Sequence, residues 1–240
     1  MKRWLMFSAV CVISSATMTV HAEEKRVHYF GQLEYLTYSD AFKEVEKRWD
    51  NWMAVMGGTL SPGDSLSGDK TTTGGVGIRL GALVTTPIKG FSLGGSLGFI
   101  KGPSFEANRT LLRTSPTGFS ERENLKFEST VVRGLIESKY DVPLGEKFHA
   151  RVGLGLGVAQ VENTSHYSYE SSHFAPESGD TSMHTTKFTW EVGPAIAYVT
   201  KTVGVELAVT YSQMPKLGPT NVWSNEFRWN PFGIRLGVEF

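Results

Sequence analysis

Three residues of types suited to hydrolytic chemistry alternate along one stretch of the chain, namely His166, Ser168 and Glu170. Residues two apart in an extended strand lie on the same face, so these side chains share a face if the strand that precedes them continues without a bulge. Counted in twos from Val158, that face points outward. A histidine beside a serine can activate the hydroxyl for attack on an ester. The triplet is therefore a candidate catalytic site, set among Ser, Thr and Tyr residues typical of a solvated loop.

Metal binding would have to use the same part of the sequence, where His166, His173 and His184 accompany Glu170. Their spacing matches no compact ligand motif. We therefore expect solvated loop histidines, no metal and no cofactor.

A larger set of charged residues occupies alternate positions inside otherwise apolar stretches. Opposite charges enclosed in a narrow space of low dielectric constant should pair, because an unpaired buried charge is strongly penalised. We expect them to fill and close an interior, while the alternative is a narrow gated pore lined by the same groups. The set comprises Glu34, Arg79, Arg133, Glu137, Arg151, Glu191, Glu206, Arg235 and Glu239.

The segment 39–57 has the periodicity of an amphipathic helix. Ser39 or Asp40 can cap its start and Gly57 with Gly58 its end. Such a helix could lie in a lipid interface, cover an opening or pack on its own loops. Its apolar arc comprises Phe42, Val45, Trp49, Trp52, Met53 and Met56.

A basic set follows later in the chain and is compatible with contacts to phosphate groups, since arginine binds such groups through two hydrogen bonds. A solvated loop is equally consistent, because acidic residues are interspersed. The basic residues are Lys101, Arg109, Arg113, Arg122 and Lys126.

The elements that must position these residues are strands in which apolar residues alternate with small or charged ones. Eight such segments occur, at about 27–38, 75–85, 91–99, 125–140, 148–158, 188–198, 203–211 and 232–240. Short turns at 86–90, 141–147 and 200–202 alternate with long polar loops at 39–74, 100–124, 161–186 and 212–226. This pattern predicts an all-β, antiparallel, up-and-down transmembrane barrel, narrow enough for side chains to fill.

A soluble barrel around a ligand is the rival fold. Its second face would be a solvated exterior, normally rich in charged residues, whereas here that face is mostly glycine with about one charge per strand. A register slip of one residue would place Arg79, Arg133, Arg151 and Arg235 in hydrocarbon, at roughly 2–4 kcal/mol each.

The last strand, Phe232 to Phe240, places Phe, Ile, Leu, Val and Phe on one face. A terminal aromatic residue closing such a strand resembles the small OmpA-like outer-membrane β-barrels of Gram-negative bacteria. The resemblance covers the barrel without a periplasmic domain and implies that Phe240 is the assembly signal. It also implies contact with outer-membrane lipid, lipopolysaccharide and the outer-membrane assembly machinery, with both termini periplasmic. His166 and Ser168 resemble the His-x-Ser pair of the outer-membrane lipid A deacylases, although the glutamate of that family lies further along the chain.

The N-terminus agrees with export. Lys2 and Arg3 precede an apolar run, and Val20-His21-Ala22 provides small residues for signal peptidase. We expect residues 1–22 to be removed, with the barrel domain at 23–240. The one cysteine, Cys11, lies in the signal segment, so no disulfide is expected in the mature chain.

Loss of Lys2 and Arg3 would leave 22 basic against 24 acidic residues, which does not favour nucleic-acid binding. We expect a monomeric, non-enzymatic envelope scaffold with interaction loops. The alternatives are a narrow channel for small solutes and, less favoured, a lipid A-modifying hydrolase.

Overall fold

The computed structural model describes residues 27–37, 42–114, 118–216 and 229–240. The expected signal peptide at 1–22, Cys11 and the capping candidates Ser39 and Asp40 lie outside these ranges. The strands and the helix are β1 (Val27–Leu36), α1 (Lys43–Gly57), β2 (Ser65–Thr73), β3 (Gly75–Thr85), β4 (Phe91–Arg113), β5 (Phe119–Pro143), β6 (Phe148–Ser171), β7 (Glu177–Val199), β8 (Gly204–Gln213) and β9 (Phe232–Glu239).

Eight strands close into a ring in the order β1-β3-β4-β5-β6-β7-β8-β9, and β9 pairs with β1. Every neighbouring pair is antiparallel. The fold is therefore the predicted antiparallel transmembrane β-barrel, and the helix in the first connection is also confirmed.

The two faces of the barrel differ as the alternation predicts. Leu80 and Val132, on the outer face, are 63% and 51% exposed, whereas their inward neighbours Arg79 and Arg133 are each 1% exposed. A continuous belt of exposed apolar side chains is stable only in contact with lipid, because that much apolar surface in water is strongly unfavourable. The barrel thus spans a membrane with a polar interior.

Four strands, β4 to β7, are 23 to 25 residues long, whereas about 9–11 residues cross a bilayer. Their additional length, together with β2, forms a sheet that projects beyond the barrel and that we call the extension. β2 pairs with the outer half of β4 and continues the line of β3 after Gly74, next to an irregularity between Lys101 and Ser104.

The segments expected as polar loops at 100–124 and 161–186 are therefore mostly strand, and the segment 39–74 contains α1 and β2. The loop prediction was wrong because the extension lies outside the lipid, so its strands do not need the apolar outer face by which the other strands were recognised. Its outer face is polar, and its apolar side chains, such as Phe105 and Phe127, point inward and are buried.

The helix ends as a right-handed segment rather than in a left-handed glycine cap. Gly58 has a φ of −69° and its N–H donates to the Ala54 carbonyl oxygen at 3.0 Å. None of the helices in the described ranges is long and apolar enough to cross a membrane.

Candidate functional site

The centre of the lumen is filled by arginines and glutamates from five strands. Glu191 on β7 accepts hydrogen bonds from Arg79 at 2.7 Å, Arg133 at 3.0 Å and Arg235 at 2.6 Å. The Ser212 hydroxyl donates to the same carboxylate at 3.2 Å. The carboxylate of Glu191 is thus the hub of a network that joins strands far apart in the sequence.

Two further glutamates complete this central network. Arg79 contacts Glu34 at 2.6 Å and Glu137 at 3.1 Å, and Arg133 forms a short ion pair with Glu34. The Ser96 hydroxyl donates to Glu137. Three guanidinium groups face three carboxylates, so the charges balance, which is the condition under which buried ions are tolerated.

A second group of charges, which we call the lower ring, lies nearer the short turns. Arg151 contacts Asp141 at 2.7 Å, Glu206 at 3.0 Å and Glu239 at 2.8 Å. Lys139 shares the last two carboxylates, with its amine 2.8 Å from Glu206. Two histidines border the ring, with His149 at 2.5 Å from Asp141 and His28 at 3.5 Å from Glu239.

All nine charged residues assigned to the interior by sequence alternation lie in these two groups. Sequence reasoning missed Lys139 and Asp141, although both lie on the same face of β5 as Arg133 and Glu137. Counting onward in twos from Glu137 would have found them.

The open volume of the lumen stops at the charge network. A cavity of about 580 Å³ opens at the short-turn end, bordered by His28, Lys139 and Arg151. Between the lower ring and Glu191 the remaining void is only about 10 Å³, roughly the minimum for one water molecule. The side chains around Glu191 therefore leave little space for water at this height of the barrel.

Above the network, α1 closes the opposite mouth with an apolar cluster. Val45 and Trp49 of the helix, and Phe42 directly before it, are buried against side chains from the barrel rim and the extension. Of the remaining residues on the predicted apolar arc, Trp52 and Met53 pack at the border of the cluster and Met56 is half-buried. The other members of the cluster are Leu36, Ile100, Phe105, Ala107, Leu125, Phe127, Val131, Ala159, Val161, Met214 and Trp229.

Polar contacts fix this helix to the extension. The Lys70 amine lies 2.6 Å from the Asp50 carboxylate, and the Arg109 guanidinium stacks 4.0 Å above the Trp52 ring. Gly68 lies against the helix, since a Cβ there would be 2.7 Å from the flexible terminal methyl of Met53.

The basic set 101–126 is divided by the structure. Arg109 was expected at an outer surface, but it is buried on the inner face and pairs with Glu123 at 2.6 Å. The expectation failed because the segment is a strand, which alternates its side chains between two faces. Lys101 remains exposed, two residues beyond the lipid-facing Phe99.

His166, Ser168 and Glu170 lie on the outer face of β6, within a strand rather than a loop. The His166 ring contacts Asp180 on β7 at 2.7 Å, and residues two apart in a strand are separated by roughly 6.6 Å. The histidine is therefore oriented toward the neighbouring strand and not toward Ser168. The described residues contain no cluster of His, Cys, Asp or Glu arranged to hold a metal.

Phe240 closes the ring. Its N–H donates to the Tyr29 carbonyl oxygen and its carbonyl oxygen accepts from the Tyr29 N–H, both at 2.9 Å. Its ring is exposed on the lipid-facing side.

No family model and no curated protein sequence matches the chain. Among solved structures it is similar to Neisserial surface protein A, with 11% identity, a TM-score of 0.42, and coverage of 90% of this chain and 96% of that one. The N-terminal β-barrel domain of Pseudomonas aeruginosa OprF is 9% identical, with a TM-score of 0.36 and coverage of 91% and 98%. Ail, the attachment invasion locus protein of Yersinia pestis, is 10% identical, with a TM-score of 0.30 and coverage of 90% and 100%. At such values the similarities say nothing about what this chain binds.

Proposed function

We propose that this protein is a non-enzymatic outer-membrane scaffold, in which a closed, non-conducting barrel anchors a rigid extension that serves as an interaction surface outside the cell. The observation that supports the proposal is the filled lumen, with Glu191 bound by three arginines and the helix α1 packed above them. The barrel then has no transport path, and the ordered surface beyond the lipid is the part available for function.

The energetics favour an anchor over a channel. To open a path, ions or water would have to separate Glu191 from Arg79 and Arg133, leaving charges uncompensated in the lumen at several kcal/mol each. The helix α1 would also have to leave its apolar cluster.

A gated channel is the second candidate, and one observation favours it. The cavity of about 580 Å³ gives solutes access to the lower ring from the short-turn end. Among the described residues, the central network and α1 lie between this cavity and the opposite side.

The resemblance noted in the sequence and the apolar belt both support an outer-membrane location. We place the short turns and both termini in the periplasm and the extension outside. Lys101, exposed just beyond the belt, is positioned to contact lipopolysaccharide phosphates. We further propose that the protein is monomeric and reaches the membrane through the outer-membrane assembly machinery.

Single-channel recording tests the anchor against the channel. Refolded protein lacking residues 1–22 is inserted into a planar bilayer at two salt concentrations, and we expect no discrete steps. A matched variant, Trp49→Ala, distinguishes the contribution of α1 from that of the central ion network, because it loosens the packing of α1 but leaves the network in place. Reproducible steps in the unmodified protein would refute the anchor and establish the channel.

The orientation can be tested with cysteines, since the chain has a single native one at position 11. Ser178→Cys lies in the extension and Thr202→Cys in a short turn. A membrane-impermeant maleimide applied to intact cells should label the first and not the second, whereas lysed cells should show both labelled. Labelling of Thr202→Cys alone in intact cells would reverse the proposed orientation.

A further inference from the structure

The far end of the extension carries a shallow polar pocket that the anchor function does not use. It has a volume of about 340 Å³ and lies where β4, β5 and β6 end, with Thr110, Ser120, Arg122, Glu170 and Ser172 among its lining residues. This volume falls within the range of roughly 300–1,000 Å³ typical of small-molecule sites. Arg122 lies ten residues beyond the lipid-facing Val132 on β5, or about 33 Å along the strand, so the pocket is far from the bilayer.

The polar groups of the pocket are held in place by the sheet. Arg122 and Glu170 are direct partners across the β5–β6 ladder. The Ser172 N–H donates to the Ser120 carbonyl oxygen, and the Ser120 N–H donates to the Ser172 hydroxyl oxygen, both at 3.0 Å. A guanidinium, a carboxylate and fixed hydroxyls therefore present donors and acceptors side by side.

Aromatic rings gather at the same end of the extension. Phe119 directly precedes Ser120, and its ring lies 5.4 Å from that of His173 and 6.5 Å from that of Phe174. Phe174 is 64% exposed. Such a cluster, beyond the reach of lipid, is the kind of exposed apolar surface that marks a contact site.

We propose that this end of the extension binds a neutral saccharide. Sugar hydroxyls both donate and accept hydrogen bonds, so adjacent hydroxyls match the paired planar groups of Arg122 and Glu170. The apolar C–H face of a sugar ring suits an exposed aromatic ring such as Phe174. A saccharide combines both kinds of surface in one ligand, and both occur at this end of the extension.

The charge balance favours neutral sugars. Arg122 and Glu170 face the pocket with one charge each, whereas the Glu121 carboxylate is already paired with Arg109 at 3.4 Å. The site therefore offers no excess positive charge to a sulfated or phosphorylated saccharide, whereas a neutral saccharide needs none.

The polar surface continues beyond the pocket along the outer face. Asn124 donates to Asn108 at 2.5 Å, and Ser168 is the partner of Asn124 on β6. These side chains lie next to the row that contains Thr110, Arg122 and Glu170. They would contact a second sugar unit, which favours an oligosaccharide over a single sugar.

The test uses the protein refolded in an amine-oxide detergent, which has no sugar headgroup to compete. A printed array of neutral oligosaccharides, with heparin-derived sulfated oligosaccharides as the contrasting group, is probed first. The best neutral binder is then titrated by calorimetry. We expect binding to neutral members and none to sulfated ones.

Variants of the two planar side chains locate the site. Arg122→Gln and Glu170→Gln should each weaken binding about tenfold or more, the usual effect of losing a hydrogen bond to a charged group, and Phe174→Ala should also weaken it. Glu162→Gln is the matched control and should leave the affinity unchanged. Glu162 lies on the outer face of β6, eight residues from Glu170. Heat-modifiable migration on gels confirms that each variant is folded.

Three results would overturn the proposal, namely no neutral oligosaccharide bound, sulfated members bound as well as neutral ones, or pocket variants that bind like the unmodified protein. The proposal rests on the extension being an interaction surface. Its failure would leave the conductance test of the closed barrel unaffected.

Discussion

At the scale of single residues, Glu191 has the greatest influence on the barrel interior. One carboxylate satisfies three guanidinium groups that reach it from β3, β5 and β9. Buried ion pairs add little net stability compared with a well-packed apolar interior, but the loss of one member is costly because the remaining charges have no partner. The network therefore specifies which strands come together as much as it stabilises them.

Replacement of Glu191 by glutamine, its neutral isostere, should show how much stability is lost when one charge is removed from the network. Glu191→Gln leaves Arg79, Arg133 and Arg235 with two carboxylates instead of three, and we expect a loss of about 3–5 kcal/mol in the free energy of unfolding. Urea titration in lipid vesicles, followed by tryptophan fluorescence, measures it.

Glu162→Gln is the control for this measurement. Glu162 is exposed on the extension and lies 3.6 Å from His184, and a surface change of this kind usually alters stability by less than about 0.5 kcal/mol. Equal unfolding midpoints for the two variants would show that the Glu191 carboxylate is not a structural hub.

Asp64 provides a pH-dependent contact outside the membrane. Its carboxylate accepts hydrogen bonds from the backbone N–H groups of Ser61 at 3.0 Å and Thr114 at 2.9 Å, and these bonds hold its pKa below the usual 3.8. A lowered pKa in the folded state means that the contact stabilises the turn above pH 3.8 and is lost as the pH falls through the lower value.

We therefore expect the amide resonances of Ser61 and Thr114 to shift together only at strongly acidic pH. Nuclear magnetic resonance of the protein in micelles measures this transition, and Asp64→Asn, which has no titrating group, should abolish it. A shared midpoint above pH 3.8 would contradict the assignment.

At the scale of secondary-structure elements, α1 covers the mouth of the barrel and is held there by apolar and by polar contacts. Its apolar side buries Val45 and Trp49. It is joined to the extension by the ion pair of Asp50 with Lys70 and by the stacking of Arg109 on Trp52. A helix of 15 residues is only marginally stable alone. The helix therefore depends on its contacts with the barrel rim and the extension.

Truncation of the buried tryptophan should release the cap without opening the barrel ring. Trp49→Ala removes a side chain that is 6% exposed, at an expected cost of about 3–5 kcal/mol. Hydrogen exchange should then accelerate at α1 amides but not at β1 and β9 amides, because the strand ladder is untouched.

Val55→Ala is the comparison on the same helix, since Val55 is 67% exposed. Its exchange rates should match those of the unmodified protein. Unchanged protection of α1 in Trp49→Ala would mean that the cap does not depend on its apolar face.

At the scale of the whole molecule, the barrel exists only if its last strand meets its first. β9 pairs with β8 and β1, and Phe240 forms the two hydrogen bonds with Tyr29 that end this seam. Closure removes the free strand edges that would otherwise be costly in lipid.

Deletion of Phe240 should lower the amount of folded protein in the outer-membrane fraction, because the seam loses two hydrogen bonds and the proposed assembly signal is removed. Heat-modifiable migration on gels quantifies the folded barrel. Phe240→Tyr retains an aromatic ring and both backbone bonds, and it should assemble normally. Full assembly of the deletion variant would refute a role for this residue.

The alternation of side chains was enough to predict the barrel. Residues two apart in a strand must share a face, so Leu80 and Arg79 were assigned to lipid and lumen from their positions alone, and the structure places both as expected. The same logic failed for the segments 100–124 and 161–186, where the apolar residues are inward-facing partners of α1. Without knowledge of the helix position, these stretches are indistinguishable from polar loops.

The sequence did not predict which of the interior charges pair with each other. Arg79 and Glu191 are separated by 112 positions along the chain and meet because strand register and closure of the ring bring β3 and β7 to the same height. The polar pocket likewise exists only where the ends of β4, β5 and β6 come together. The face that each side chain occupies can be predicted from its position in the strand, because strand geometry has a period of two. Which side chains meet depends instead on the offsets between strands accumulated around the whole barrel, and these arise only in the folded molecule.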